Sequence, residues 1–264
     1  MLSKDCEASR VKEYDSWHHG LAATEVPFTG LHDPWHLTVE RLLPKLHGQK
    51  VLEIGCGRGD FAIHLARMNP EAEIHAVDFS QAAIEIAKLK AVQSGVPAHF
   101  KTDNAESLSF EDCAFDFVIS CECMEHVAEP ARMAKEICRV LRPGGRFILT
   151  TENYFNGMIL AWLQAWLLGR PFNSGSGVQP RENFFVFWRV KKILSGSGLQ
   201  VESMESNHVQ WLLLPRTDPG KLCTRNFENP FLKRIFRPFG RHFTFCGRRA
   251  AGGNENGQFV GLIG

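Results

Sequence analysis

The sequence predicts an α/β fold in which helices cover both faces of a mostly parallel sheet. Three observations predict it. From Lys50 onward, short apolar runs of strand character (VLEI, EIHAVD, HFKT, FDFVIS, RFILTT) alternate with segments of helical length. Start and stop residues fall at the joins: Ser80, Gly95, Glu129-Pro130 and Pro143-Gly144-Gly145. The chain of 264 residues is 44% hydrophobic and 22% charged, which supplies one sizeable core and excludes disorder, collagen-like repeats and a coiled coil.

The first 46 residues show no β pattern; Asp33-Pro34 opens a helix, with Asp as cap and Pro at the first helical position. Residues 51–54 form a short buried strand, followed by a glycine loop and the helix DFAIHLARM. Residues 73–78 form a second strand, and the helix QAAIEIAKLKAVQS runs from its Ser80 cap to Gly95. HFKT begins a third strand and residues 115–120 form a fourth. The helix ARMAKEICRVL starts at Glu129-Pro130, stops at Pro143-Gly144-Gly145, and leads into a fifth strand at 146–151. Strands joined by helices of this length are βαβ units, hence parallel neighbours. After Thr151 the rhythm breaks into an apolar helix around Trp162, a glycine- and serine-rich loop at 172–180 and a helix near FVFWRVKKIL. A strand follows at 199–205, and QFVGLIG reads as a last strand.

The N-terminal residues are polar, with no apolar stretch of the secretory kind, so a cytoplasmic location is expected. Eight cysteines are too sparse for a disulfide scaffold, and Cys56, Cys121, Cys123 and Cys138 read as reduced thiols. The run from Met158 to Leu168 is too short to span a bilayer of about 30 Å, although it suits peripheral contact. A net charge of +1 argues against a general nucleic-acid coat, yet it is a cancellation. Between Asp103 and Glu129 stand eight acids and no Lys or Arg, while 221–249 holds eight basic residues against Glu228 alone.

The strongest chemical signal is Glu53-Ile54-Gly55-Cys56-Gly57-Arg58-Gly59, directly after a strand and before a helix. Glycines let the backbone turn sharply and let a ligand approach without Cβ obstruction. A dinucleotide fingerprint needs glycine at position 60, which is Asp here, and no Lys-Ser/Thr pair follows for a phosphate loop. Asp78, at the tip of the second strand, has the position and chemistry to accept from both hydroxyls of a ribose, and Phe79 to cover a face of an adenine. The competing reading of Asp78 is a turn or cap residue. In Thr102-Asp103-Asn104-Ala105-Glu106, a side-chain oxygen is placed to accept from an adenine amino group and the Ala105 N–H to donate to the ring.

Together, VLEIGCGRG, AVDFS, DNAESLSF, FDFVISCECMEHV and RVLRPGG, in that order, resemble the class I S-adenosylmethionine-dependent methyltransferases over about residues 50–151. The resemblance implies a Rossmann-like sheet of seven strands, the last antiparallel. It implies that Glu53, Gly55, Gly57 and Gly59 hold the methionine part of S-adenosylmethionine, with Asp78 on the ribose and Cys56 and Cys121 along the pocket. The family often has Gly-Asp-Ala where this chain has Asp103-Asn104-Ala105, so the adenine contact falls to Asn104 or a shifted Asp103.

Glu122, Glu125 and His126 resemble the Glu-x-x-Glu-His motif of ubiquinone-type catechol O-methyltransferases and small-RNA 2′-O-methyltransferases, where it coordinates a divalent cation. Two carboxylates and an imidazole form a credible site for Mg2+ or another divalent ion, which would lower the pKa of a substrate hydroxyl. The competing reading is a capping glutamate beside a hydrogen-bonded His126. Without a metal, His126 is the leading general base, since imidazole titrates near neutrality; Glu125 is grouped with it.

The flanks are expected to choose the substrate. Residues 1–46 resemble the helical cap that covers the cofactor pocket in similar enzymes, and 47–264 the methyltransferase domain. Within it, about 153–182 reads as a lid and about 210–257 as a basic and aromatic insertion. The aromatic residues Tyr14, Trp17 and Trp35, with His18, His19, His32 and His36, read mainly as packing residues. The expected function is methylation of a small molecule, on oxygen rather than nitrogen. RNA 2′-O-methylation, through the phenylalanines and arginines of 221–249, and a non-catalytic cofactor-binding scaffold are the alternatives.

Overall fold

The computed structural model describes residues 11–16, 18, 34–153, 163, 166–169, 183, 185–209, 231 and 237–250. Residues 11–16 are helical. The elements that follow are α1 (Pro34–Leu42), β1 (Lys50–Ile54), α2 (Asp60–Met68), β2 (Glu73–Asp78), α3 (Gln81–Ser94), β3 (Ala98–Thr102) and β4 (Phe115–Ser120). Then come α4 (Pro130–Val140), β5 (Leu141–Glu152), α5 (Phe187–Gly196), β6 (Leu199–Val209), a 3-10 turn (Arg237–Phe239) and β7 (Gly240–Arg249).

The strands form one sheet in the order β3-β2-β1-β4-β5-β7-β6. Strands β1 to β5 pair in parallel, and β7 runs antiparallel between β5 and β6. This is the seven-stranded Rossmann-like sheet the resemblance implies. Each face carries its own core, because strand residues alternate sides. Leu52, Ile54, Val118, Phe147, Leu149, Phe243 and Phe245 pack with Met133 and Ile137 of α4 and Val190 and Leu194 of α5. On the other face Val51, Ile74, Ala76, Phe117, Ile119 and Ile148 pack with Phe61 and Leu65 of α2 and Ile84 and Ala87 of α3. Each fully buried side chain of this kind contributes about 1.5–3 kcal/mol.

Local signals act where they are written. Ser80 Oγ accepts from Ala83 N at 3.2 Å to start α3, and Gly95 ends it at φ 64°. Pro130 sits in the first turn of α4, where its missing N–H costs nothing. Elsewhere the structure departs from expectation. The Pro143-Gly144-Gly145 stop lies inside β5, which already begins at Leu141; pairing shifts between Phe115 and Phe117, and Gly144 takes φ 77°. The strand at 199–205 continues to Val209. The strand that closes the sheet is β7, from within the basic segment, with Phe243 and Phe245 1% and 0% exposed. Those phenylalanines are therefore sheet core, and residues 240–249 are no insertion. QFVGLIG, the Asp33 cap, most of the lid and most of the remaining basic segment lie outside the described residues. Among the described residues no helix is long and apolar enough to cross a membrane.

Candidate active site at the carboxyl edge of the sheet

Strand order reverses at β1, whose neighbours β2 and β4 lead to opposite halves of the sheet. Their βα loops diverge there, so a crevice opens beyond the strand ends. A cleft of about 300 Å³ lies at this point. Its wall includes Glu53, Gly55, Cys56, Gly57, Asp78, Phe79, Asp103, Asn104, Ala105, Cys121, Glu122 and His126, so the structure brings together most of the residues singled out above. Gly59 and Glu125 are not in the wall.

The glycine loop is pinned to β2. Gly55 and Cys56 donate to Val77 O at 2.8 and 3.0 Å, and Gly57 N donates to Asp78 Oδ2 at 2.8 Å. Asp78 Oδ1 accepts from Ser80 N at 2.9 Å. Asp78 is thus a turn residue facing the cleft; an ionised carboxylate has about four acceptor positions, leaving capacity for a ligand. Burial raises its pKa. The three glycines differ in use. A Cβ on Gly57 (φ 51°) would meet nothing within 4 Å, so this position leaves the cleft open. One on Gly55 would strike Cys123 Sγ at 2.5 Å, and one on Gly59 would strike Ala87 Cβ at 2.7 Å and Phe100 Cε1 at 2.8 Å. Gly59 therefore lets α2 pack closely on α3 and the sheet.

Glu53 is 2% exposed, and its Oε2 has no hydrogen-bond partner among the described residues. Its pKa is pushed up to about 8, first by burial, then by the charges of Asp78 and Asp60. A cation entering the cleft would restore its ionised form. Burial also raises the thiols of Cys56, Cys121 and Cys123, so they stay protonated and unreactive.

At the far end, Asp103 is committed to its own loop: Oδ1 accepts from Asn104 N at 2.9 Å, and Oδ2 from Ser109 N and Oγ at 3.0 and 2.6 Å. Asn104 Oδ1 accepts from Glu106 N at 2.9 Å. The N-terminal helix reaches this end. Tyr14 meets the Phe79 ring edge-on at 6.4 Å, and Asp15 Oδ1 accepts from Ser80 Oγ at 2.5 Å. Tyr14, His18, Trp35 and His36 all line the cleft, so several residues read as packing groups border the site.

The acids after β4 separate. Glu125 is 1% exposed; its Oε2 accepts from Thr151 Oγ1 at 2.9 Å and its Oε1 lies 3.9 Å from His126 Nε2. Burial and the nearby Glu122 charge raise its pKa well above the carboxylate range. Asn183 braces the segment, donating from Nδ2 to Glu125 O at 3.1 Å and Val127 O at 2.7 Å. Glu122 adopts φ 47°, a strained value for a non-glycine residue. Its Oε2 lies 3.1 Å from His242 Nδ1, and Glu122, Glu152 and His242 each place a ligand atom within 4.8 Å of the others. Glu122, Glu125 and His126 do not form such a group among the described residues. His242 packs on Trp35 at 5.1 Å, and His36 stacks on Phe61 at 4.8 Å. Burial, with the neighbouring His64, lowers the His36 pKa to about 4, so it is neutral.

Residues 51–145 match the methyltransferase domain family. The ubiquinone biosynthesis O-methyltransferase of Alkalilimnicola ehrlichii is 36% identical over 116 residues, 44% of this chain and 46% of that protein. The chain spans about half the length of such curated relatives, as with the 45% covered in the Xanthomonas oryzae protein of the same name. A SAM-dependent methyltransferase structure from Methanosarcina mazei superposes with a TM-score of 0.60 at 20% identity, covering 84% of this chain and all (100%) of that one. Haemonchus contortus phosphoethanolamine N-methyltransferase 2, solved in complex with S-adenosyl-L-methionine, gives 0.58 at 18% identity, covering 81% and 52%. At these identities the solved structures speak to the fold.

Proposed function

We infer that this chain is a class I S-adenosylmethionine-dependent methyltransferase that methylates a hydroxyl of a small molecule, phenol-like on the strength of its likeness to ubiquinone biosynthesis O-methyltransferases. The carrying observation is Glu53: a buried carboxyl with one oxygen unpartnered among the described residues, beside a glycine loop that leaves room for a ligand. A cofactor bearing an ammonium and a sulfonium matches that demand for positive charge. The residues present therefore fit S-adenosylmethionine, which supplies an electrophilic methyl carbon when bound.

In this reading Glu53 holds the methionine end, and Gly57 leaves room for it to approach the loop backbone. Asp78 takes the ribose, and Phe79, Asn104 and Ala105 border the adenine, with Cys56 and Cys121 as inert wall. Asp103 acts through the loop it organises, and Gly59 through helix packing. His126 would take the proton from the acceptor hydroxyl, whose oxygen would be the nucleophile toward the methyl carbon that the cofactor supplies. Glu125, held protonated behind it, is a positioning residue. Positioning supplies much of the rate, because the sulfonium is already an activated leaving group.

For metal assistance the better donor set is Glu122, Glu152 and His242, which converge where Glu122, Glu125 and His126 do not. Two carboxylates and an imidazole suit Mg2+ or Mn2+, and such an ion would favour the anionic form of a nearby hydroxyl. RNA is less well supported. Arg248 pairs with Glu202 at 2.8 Å, and Arg249 donates to Leu141 O at 2.6 Å, so these two cations are already engaged.

The test is product analysis by mass spectrometry after incubating the chain with S-adenosylmethionine and a panel of catechols, phenols, amines and short RNA. A methyl ether on the phenolic compounds is expected. Turnover on amines or RNA alone overturns the assignment.

A further inference from the structure

At the opposite end of the sheet from the cleft, β2 and the edge strand β3 bring together three metal-ligating side chains that the methyl-transfer reading does not use. Glu73 and His75 are two apart on β2 and so share a face, and His99 is the register partner of His75. His75 Nε2 lies 2.6 Å from Glu73 Oε1, and the two imidazoles stack at 4.9 Å between centroids with 28° between their planes. One ligand atom from each residue lies within 4.8 Å of the other two.

We propose that Glu73, His75 and His99 form a binding site for a divalent transition metal of the zinc class, with at least one coordination position open to solvent. Two imidazoles and one carboxylate suit a borderline ion such as Zn2+, Ni2+ or Cu2+, whereas Ca2+ and Mg2+ prefer oxygen donors. Donor atoms around one zinc, with bonds of about 2.0–2.2 Å, sit roughly 3–4 Å apart, so side-chain rotation alone closes the set. The backbone needs no change, because the β2–β3 register already fixes the Cα positions.

The surroundings favour a bound ion. Phe110 and Phe115 meet His75 edge-on at 6.0 and 5.5 Å, giving the site an apolar wall. The competing cation is Lys50, whose Nζ is 3.4 Å from Glu73 Oε1 and whose side chain is 34% exposed, long enough to swing into water. A metal here would clip the edge strand to its neighbour and stabilise the fold by binding the native state alone.

The test is calorimetric titration of Zn2+ into the tag-free full chain, paired with thermal melts with and without the ion. The His242→Gln variant keeps this site separate from the donor set near the cleft. In that background a saturable site and a metal-dependent rise in Tm are expected. His99→Gln or His75→Gln should weaken the affinity at least tenfold and abolish the rise. Zn2+ affinity unchanged in both of those variants, or no saturable binding in the His242→Gln protein, overturns the proposal.

Discussion

Glu122 Oε2 and His242 Nδ1 lie 3.1 Å apart although 120 residues separate them in the chain. The contact joins the loop after β4 to the antiparallel β7, and the left-handed backbone of Glu122 presents its side chain to both His242 and the cleft. If the pair belongs to a cation site that activates the acceptor hydroxyl, Glu152→Gln and His242→Gln should each lower kcat/KM on a phenolic substrate by about two orders of magnitude. The residual rate should no longer respond to a chelator. Initial rates against chelator concentration check this; wild-type turnover that ignores the chelator would remove the metal from the mechanism.

Glu53 should report cofactor binding through protons. A carboxyl whose pKa rises from 4.5 to about 8 on folding binds a proton in the folded state that the unfolded chain has released. It therefore costs stability progressively between those two pH values. Glu53→Gln should raise Tm at pH 8.5 relative to wild type and have little effect at pH 4.5. A cationic cofactor ionises Glu53, so binding at pH 7 should release roughly one proton from wild type and far less from Glu53→Gln. Calorimetry in buffers of differing ionisation enthalpy measures that difference directly.

Two glycines of the same loop should fail in different ways. Gly59→Ala sets a Cβ against Ala87 and Phe100 at φ 80°, and should cost about 2–4 kcal/mol of stability in denaturant unfolding. Gly57→Ala meets no neighbouring atom and should cost only about 1–2 kcal/mol for its positive φ, while weakening cofactor binding by filling the cleft wall. Equal losses of stability would contradict the division of roles between packing and ligand access.

What the sequence made legible was local. The Ser80 cap and the Gly95 stop are short-range features that act at the two ends of α3, and Asp78, at the tip of β2, lines the cleft. The loop and its acid face one cleft because β1 and β2 are adjacent parallel strands, which the βαβ rhythm already implies. Long-range partners were hidden. Nothing near Glu122 in sequence points to His242 or Glu152, and the adjacent Glu125-His126 offered a nearer but non-convergent set. Asn183, which braces the Glu125 and Val127 carbonyls, stands alone after a glycine-rich loop with no pattern to mark it. The seventh strand was obscured by its arginines, although Phe243 and Phe245 in alternation carried the period-two signal.

In the proposed reading, the cleft at the end of β1 and β2 holds S-adenosylmethionine. Calorimetric titration of the cofactor into the wild-type chain and into Asp78→Ala tests it most directly. One saturable site is predicted for wild type, weakened by about 1–3 kcal/mol, or roughly five- to 150-fold, in the variant. A folded wild-type chain that shows no saturable binding, or a variant with unchanged affinity, would contradict it.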